Sequence, residues 1–252
     1  MALTQEQIDF FFQNGYLAYG RILEDSQIEC LRQEYDREFA QARQEGSYRN
    51  LSVPDDTDLQ GKQQAPEQML QIMQMCDRNI HFRRHLYDRR ILDIVQDLIG
   101  PNIMLFHDQA LYKPAHTGGP VYWHQDNAYW KCSPANLVSC WLTLDDVDKD
   151  NGAMQVLPGS HLRPLRPDPA DSKGPLLDFG RDLDTSRAVV IPLPAGGCMF
   201  HHCQTLHYTG PNLTSRQRRA IVVHYMVPGT RGGDGQVLRV DFSRPLLCIN
   251  MQ

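Results

Sequence analysis

The chain lacks several features, and each absence removes a class of protein. No run approaches the ~20 consecutive apolar residues of a bilayer-spanning helix, so no membrane partner is expected. Basic residues are not in excess: 25 Lys and Arg face 30 Asp and Glu, for a net charge of -5. No global positive field therefore draws in nucleic acid. The one dense basic cluster, "RQRR" at 216–219, reads as a solvated turn or as part of a site. The seven cysteines at 30, 76, 132, 140, 198, 203 and 248 include no CxxC pair. That argues against a zinc knuckle or a thioredoxin motif and favours free thiols in a reducing compartment. The N-terminus shows no basic-then-apolar signal segment, and the C-terminal "NMQ" is not a peroxisomal address. A cytoplasmic location is expected. No internal repeat is visible, and oligomeric state is not readable.

What is present divides into two halves. Residues 1–100 read as a mainly helical layer. "TQEQIDFFFQNG" opens with Thr4 and Gln7 spaced as a capping box, and Gly15 suits its stop. A second box is expected at Ser26 and Glu29, ahead of the stripe Ile28, Leu31, Tyr35 and Phe39, with Gly46 ending the helix. Residues 47–66 are polar and read as an exposed loop. The stretch from 66 to 100 is expected to form two helices, stopped by Gly100 and Pro101. After Pro101, short segments rich in Val, Ile, Leu, Tyr and Trp alternate with turn residues. Strands are predicted near 102–113, 119–126, 136–146, 152–160, 187–196, 197–202 and 218–227. A Pro- and Asp-rich insertion at 162–187 interrupts them. It and the 47–66 loop are candidate lids. The whole chain, 1–252, is expected to be a single domain with its jelly-roll core at 101–230. The fold class is mainly β with N-terminal helices (α+β).

"VYWHQDNAYW" at 121–130 places His124 and Asp126 two apart in an aromatic segment. If this is a strand, i and i+2 share a face. Downstream, His201, His202 and His207 follow within 77 to 83 residues. Two histidines and one carboxylate on one side of a metal form the facial triad of non-heme Fe(II) oxygenases. Such an enzyme often uses 2-oxoglutarate, whose far carboxylate suits a bidentate Arg. "RQRRAIVVHYMV" offers Arg218, on a face with Ala220, Val222 and His224, and Arg219, on the other. Parity alone does not choose.

"WHQD", then "NGAMQVLPGSH" at 151–161, then "HYTGPNLTSRQR" at 207–218, together resemble the phytanoyl-CoA dioxygenase family. The likeness runs from "FFQNGYL" to about residue 228. It implies a double-stranded β-helix, a cupin-like jelly roll, with Fe(II) as metal and 2-oxoglutarate and O2 as co-substrates. By that resemblance, His124, Asp126 and His207 are the iron ligands. Arg218, eleven residues after His207, takes the 2-oxoglutarate carboxylate. Thr209 assists it, Trp141 lines the co-substrate pocket and Gln109 contacts the co-substrate. His107 stands where several relatives have Gln. Relatives that halogenate lack the carboxylate present here as Asp126, so halogenation is not expected.

The implied function is Fe(II)- and 2-oxoglutarate-dependent hydroxylation of a C–H bond in a small organic molecule, with succinate and CO2 released. Desaturation, cyclisation or epimerisation at the same centre is the nearest alternative, followed by a metal-dependent hydrolase and a non-catalytic cupin-like binding protein. A hydrolase would have no use for Arg218, and an intact triad argues against a mere binding module. Cys203 lacks metal-ligand spacing, and His161, in the "LPGSH" turn, reads as structural. Arg83, Arg84, Arg89 and Arg90 would suit the phosphates of a CoA ester, or else form a solvated helix face.

Overall fold

Thr4 and Gln7 cap each other at the start of α1 (Gln5–Asn14), as their spacing predicts. The helix stops at Gly15, whose φ of 79° is left-handed. The computed structural model describes residues 1–53, 58–163 and 183–249. The chain then enters β1 (Tyr16–Arg21) and α2 (Asp25–Glu45). The α2 cap differs from expectation. Glu24 and Gln27 form the box, not Ser26 and Glu29, so the helix starts two residues earlier. Its stripe is as predicted: Ile28, Leu31, Tyr35 and Phe39 are all buried.

β2 (Arg49–Asn50), α3 (Leu59–Gln64) and β3 (Leu70–Met73) follow, then α4 (Met75–Arg78), α5 (Ile80–His85) and α6 (Arg89–Ile99). The predicted pair of helices between 66 and 100 is thus a strand and three helices. "LQIM" pairs with its neighbours because both its faces are covered, and full burial erases the alternation that would mark a strand. The second half contains β4 (Ile103–Lys113), β5 (Val121–His124), α7 (Asp126–Trp130), β6 (Val138–Thr143) and β7 (Met154–Val156). After these come β8 (Val189–Ile191), β9 (Gly197–His202), β10 (His207–Thr209), β11 (Arg218–Met226) and β12 (Leu246–Cys248). Most of the 162–187 insertion, and residues 54–57 of the other candidate lid, lie outside the described residues.

Two sheets face each other. The larger runs β1-β9-β6-β11-β4-β3-β2, with β12 beside β4, and the smaller runs β5-β10-β7-β8. This is the jelly-roll arrangement of a double-stranded β-helix. Alternation along β11 sorts its residues. Ile221, Val223 and Tyr225 pack outward against the helices, with Tyr35, Phe82 and Val95. Ala220 and Val222 point inward with Trp141 and Met199, toward Met154 and Val156 of the smaller sheet. Each large apolar side chain so buried contributes roughly 1.5–3 kcal/mol. Arg218 and His224 share the parity of Ala220 and Val222, so they too face the space between the sheets.

Two predictions follow from this packing. A Cβ at Gly15 would sit 2.4 Å from the His161 ring and 2.5 Å from the Thr205 hydroxyl, in a backbone that L-residues resist. Gly15→Ala is expected to lower unfolding stability by about 2 kcal/mol or more, read from the urea midpoint. Burial also pushes the imidazoles of His85, His107 and His202 down to about 4. Between pH 6.5 and 4 the unfolded chain therefore binds protons that the native chain refuses. The urea midpoint is expected to fall as pH falls through that window, and His85→Phe to remove part of the slope.

Candidate active site

His207 and His124 are direct partners in the antiparallel pairing of β10 with β5. Opposed residues on paired strands project to the same side, and the two rings lie 4.0 Å apart. Their chain neighbours Tyr208 and Trp123 stack on each other, ring centres 5.5 Å apart, as alternation toward the other face requires. Asp126 does not reach the site by strand parity. β5 ends at His124, and Asp126 is the first residue of α7. That turn is pinned by Asn127 N–H on the Cys203 carbonyl and by the Gln125 amide on the Gln204 carbonyl.

The three side chains form a cluster whose ligand atoms lie within 4.8 Å of one another. The Nδ1–H of His124 donates to the Tyr122 carbonyl at 2.7 Å, and that of His207 to the Thr205 carbonyl at 2.9 Å. A neutral imidazole so anchored turns its Nε2 lone pair the other way. Each Nε2 faces Asp126 Oδ1, at 3.6 Å from His124 and 3.7 Å from His207. These gaps are too wide for hydrogen bonds. Three acceptors converging without a proton among them suit a cation. Burial raises the Asp126 carboxyl, but the surrounding imidazoles of His207, His124 and His201 outweigh it and hold it well below the usual range. Burial and His124 push the His207 imidazole well below its ordinary value. Both directions leave Asp126 and His207 deprotonated, as metal binding needs.

The triad opens into a cavity of about 240 Å³ that also contains Arg218, Thr209, Trp141, Gln109, His107 and His224. Arg218 is fully buried. Its Nη1 donates to the Leu111 carbonyl at 3.0 Å, while Nε and Nη2 have no partner among the described residues. The Trp141 indole N–H is buried and equally unpartnered, and its ring lies 5.8 Å from the guanidinium carbon. Burial pulls the Arg218 guanidinium down to about 10, so it is still charged at neutral pH. A buried cation with two idle donors is expensive unless an anion meets it. Arg219 resolves the parity question. It points outward and pairs with Asp145 at 2.6 Å and Asp36 at 2.9 Å.

Lys113 was not foreseen from the sequence. It is fully buried beside the cavity, and its Nζ donates to the Thr209 carbonyl at 3.1 Å, to Thr209 Oγ1 at 2.8 Å and to the Gly210 carbonyl. Burial, then Arg218, lowers its ammonium well below the ordinary lysine range. With one oxygen lone pair taken by Lys113, the Thr209 hydroxyl still has its own proton to donate. The contact of His201 with the triad is equally invisible in the sequence. The His201 Nε2 lies 3.1 Å from Asp126 Oδ2, and Ser139 Oγ lies 3.2 Å from the same oxygen. A lone polar residue in a buried strand was the only signal for either.

Other residues singled out from the sequence lie elsewhere. His161 bonds the Phe12 carbonyl at 3.0 Å, a structural role. Burial pushes the Cys203 thiol far up, which makes it a poor ligand. Arg83, Arg89 and Arg90 pair with Asp77, Asp93 and Asp88, so they do not pool into a phosphate patch.

The phytanoyl-CoA dioxygenase (PhyH) family profile matches residues 11–220. The peroxisomal phytanoyl-CoA dioxygenase of Bos taurus is 30% identical over 88% of this chain and 68% of its own length. EvdO2 of Micromonospora carbonacea var. aurantiaca, solved with 2-oxoglutarate, is 28% identical, with a TM-score of 0.66 over 93% of this chain and 95% of its own. The fold is shared with the epimerase SnoN, solved with Fe3+, α-ketoglutarate and nogalamycin RO. That match has 24% identity and a TM-score of 0.75, covering 96% of this chain and 98% of the other. This chain belongs to the phytanoyl-CoA dioxygenase family.

Proposed function

We propose that this chain is an Fe(II)- and 2-oxoglutarate-dependent dioxygenase that hydroxylates a C–H bond of a small organic substrate, releasing succinate and CO2. One observation carries the reading. A single cavity holds a three-donor set suited to a cation and a buried guanidinium suited to a carboxylate.

His124 Nε2, His207 Nε2 and Asp126 Oδ1 would hold the metal, leaving coordination positions open. Arg218 would grip the far carboxylate of 2-oxoglutarate through Nε and Nη2. Thr209 would donate its hydroxyl proton to the same group, and Trp141 its indole N–H. Iron held there would supply the chemistry of O2 activation coupled to oxidative decarboxylation of 2-oxoglutarate. The chain's own residues orient and exclude. With the cationic Arg218 and the triad both on the one cavity, a dicarboxylate has a preferred direction of entry. Val121, Met154 and Val222 line the space between and keep it apolar. Tyr129 and Trp130 also line the cavity and offer flat surfaces for an apolar substrate.

The bovine relative is named for a CoA ester. The arginines that could have met CoA phosphates are mostly paired with aspartates here, which supports a substrate without that handle. The seven cysteines are all free, which supports a reducing, cytoplasmic setting. No helix among the described residues is long and apolar enough to cross a membrane, and no membrane or nucleic-acid partner is part of this reading.

Fe(II) and 2-oxoglutarate added together without oxygen are expected to give a visible charge-transfer band. Arg218→Ala is expected to raise the 2-oxoglutarate concentration needed for half its amplitude by about 30-fold or more, the equivalent of roughly 2 kcal/mol. Bound iron with no band would rule out 2-oxoglutarate as co-substrate.

A further inference from the structure

The inner face of the larger sheet carries a polar row that the reading above leaves unused. It crosses five neighbouring strands, one residue from each. Arg49 of β2 stands directly opposite Gln71 of β3, and its Nη1 donates to Gln71 Oε1 at 2.9 Å. The Gln71 amide donates to Gln109 Oε1 on β4. Gln109 Nε2 lies 2.8 Å from His224 Nε2 on β11. His224 pairs with Ser139 of β6 in the ladder, and its Nδ1 lies 2.7 Å from Ser139 Oγ. Ser139 Oγ donates to Asp126 Oδ2 at 3.2 Å. On the next strand, β9, His201 is the register partner of Ser139 and reaches the same oxygen.

The two ends of this row fix its sense. A guanidinium can only donate, and an ionised carboxylate can only accept. Ser139 spends its single proton on Asp126, so it must accept from His224, and His224 therefore carries its proton on Nδ1. Its Nε2 is then a lone pair, which Gln109 must meet with its NH2. The Gln109 oxygen is left for the Gln71 NH2, and the Gln71 oxygen for Arg49. Every contact is satisfied in this one direction. A proton on His224 Nε2 would force both amides to flip and would set the Gln71 NH2 against the Arg49 N–H.

We propose that Arg49, Gln71, Gln109, His224 and Ser139 form a one-way hydrogen-bond relay that locks His224 as its Nδ1–H tautomer. Together with His201, the relay holds Asp126 Oδ2, so that only Oδ1 is offered to the metal. These are positioning residues. This inference rests on the reading of Asp126 as a ligand and extends it. It also gives Gln109 a second task beside the co-substrate contact implied by the family resemblance. Groups that orient a ligand from behind commonly change metal affinity 10–100-fold when removed.

The test begins with the wild-type protein loaded with Zn(II) alone, labelled with 15N-histidine, and with His224 assigned by loss of its signals in His224→Gln. Long-range 15N–1H spectra are expected to show His224 singly protonated, on Nδ1. In Gln109→Glu, which can only accept, His224 is expected to become protonated on both nitrogens. A His224 protonated on Nε2 in the wild type, or one unmoved by Gln109→Glu, would overturn the relay. Competition with a chelator then reads Zn(II) affinity. Ser139→Ala is expected to weaken it about 10–100-fold, and Ser139→Thr, which keeps the hydroxyl, to retain it. Equal affinity for wild type and Ser139→Ala counts against the relay. Unchanged affinity in Asp126→Ala instead overturns the ligand reading itself, whatever the tautomer of His224.

Discussion

Desolvation governs this molecule. A carboxylate, a guanidinium, an ammonium and several imidazoles are all buried on the inner side of a β-sandwich, where an unmet charge is costly. Most of the local architecture can be read as an answer to that cost. Lys113 has its acceptors supplied by the backbone and hydroxyl of β10 and the turn after it. Asp126 Oδ2 is met by His201 and Ser139. Among the groups left unanswered in the cavity are Arg218 Nε and Nη2, the Trp141 indole and the converging lone pairs of the triad. These are the places where ligands of opposite charge would complete the electrostatics.

The two sheets divide the work. The smaller sheet supplies the metal-facing imidazoles through one cross-strand pair, His124 with His207. The larger sheet supplies the co-substrate end through Arg218 and the polar row through β2, β3, β4, β11 and β6. Asp126 joins them. It hangs from the end of β5 in the smaller sheet, and its outer oxygen is held by residues of the larger one. Gly15 is part of the same scaffold at a distance. Its carbonyl accepts from Thr205 Oγ1, and the Thr205 carbonyl fixes the proton of His207.

Much of this was legible in the sequence, for physical reasons. The α2 stripe and β4, β6, β9 and β11 carry strong periodicity or long β-branched runs. The motifs and the resemblance they carry point to the triad, Arg218, Thr209, Trp141 and Gln109, and all of them line one cavity. What was missed is equally explicable. β3 is buried on both faces and so shows no alternation, and β10 is only three residues long. Asp126 begins a helix rather than ending a strand, a distinction that H-x-D spacing cannot make. Lys113, Ser139, Gln71 and His201 are polar residues whose partners lie on other elements. Only sheet register brings them together, and register is a tertiary property.

The claim on which the rest depends is that one cation sits where His124, Asp126 and His207 converge. The most direct test is anomalous diffraction from a crystal grown with Fe(II) or Mn(II) under anaerobic conditions. The account predicts a single strong peak within bonding distance of His124 Nε2, Asp126 Oδ1 and His207 Nε2, with Asp126 Oδ2 still on Ser139 and His201. A peak bound elsewhere, or no peak with both imidazoles turned away, would contradict it.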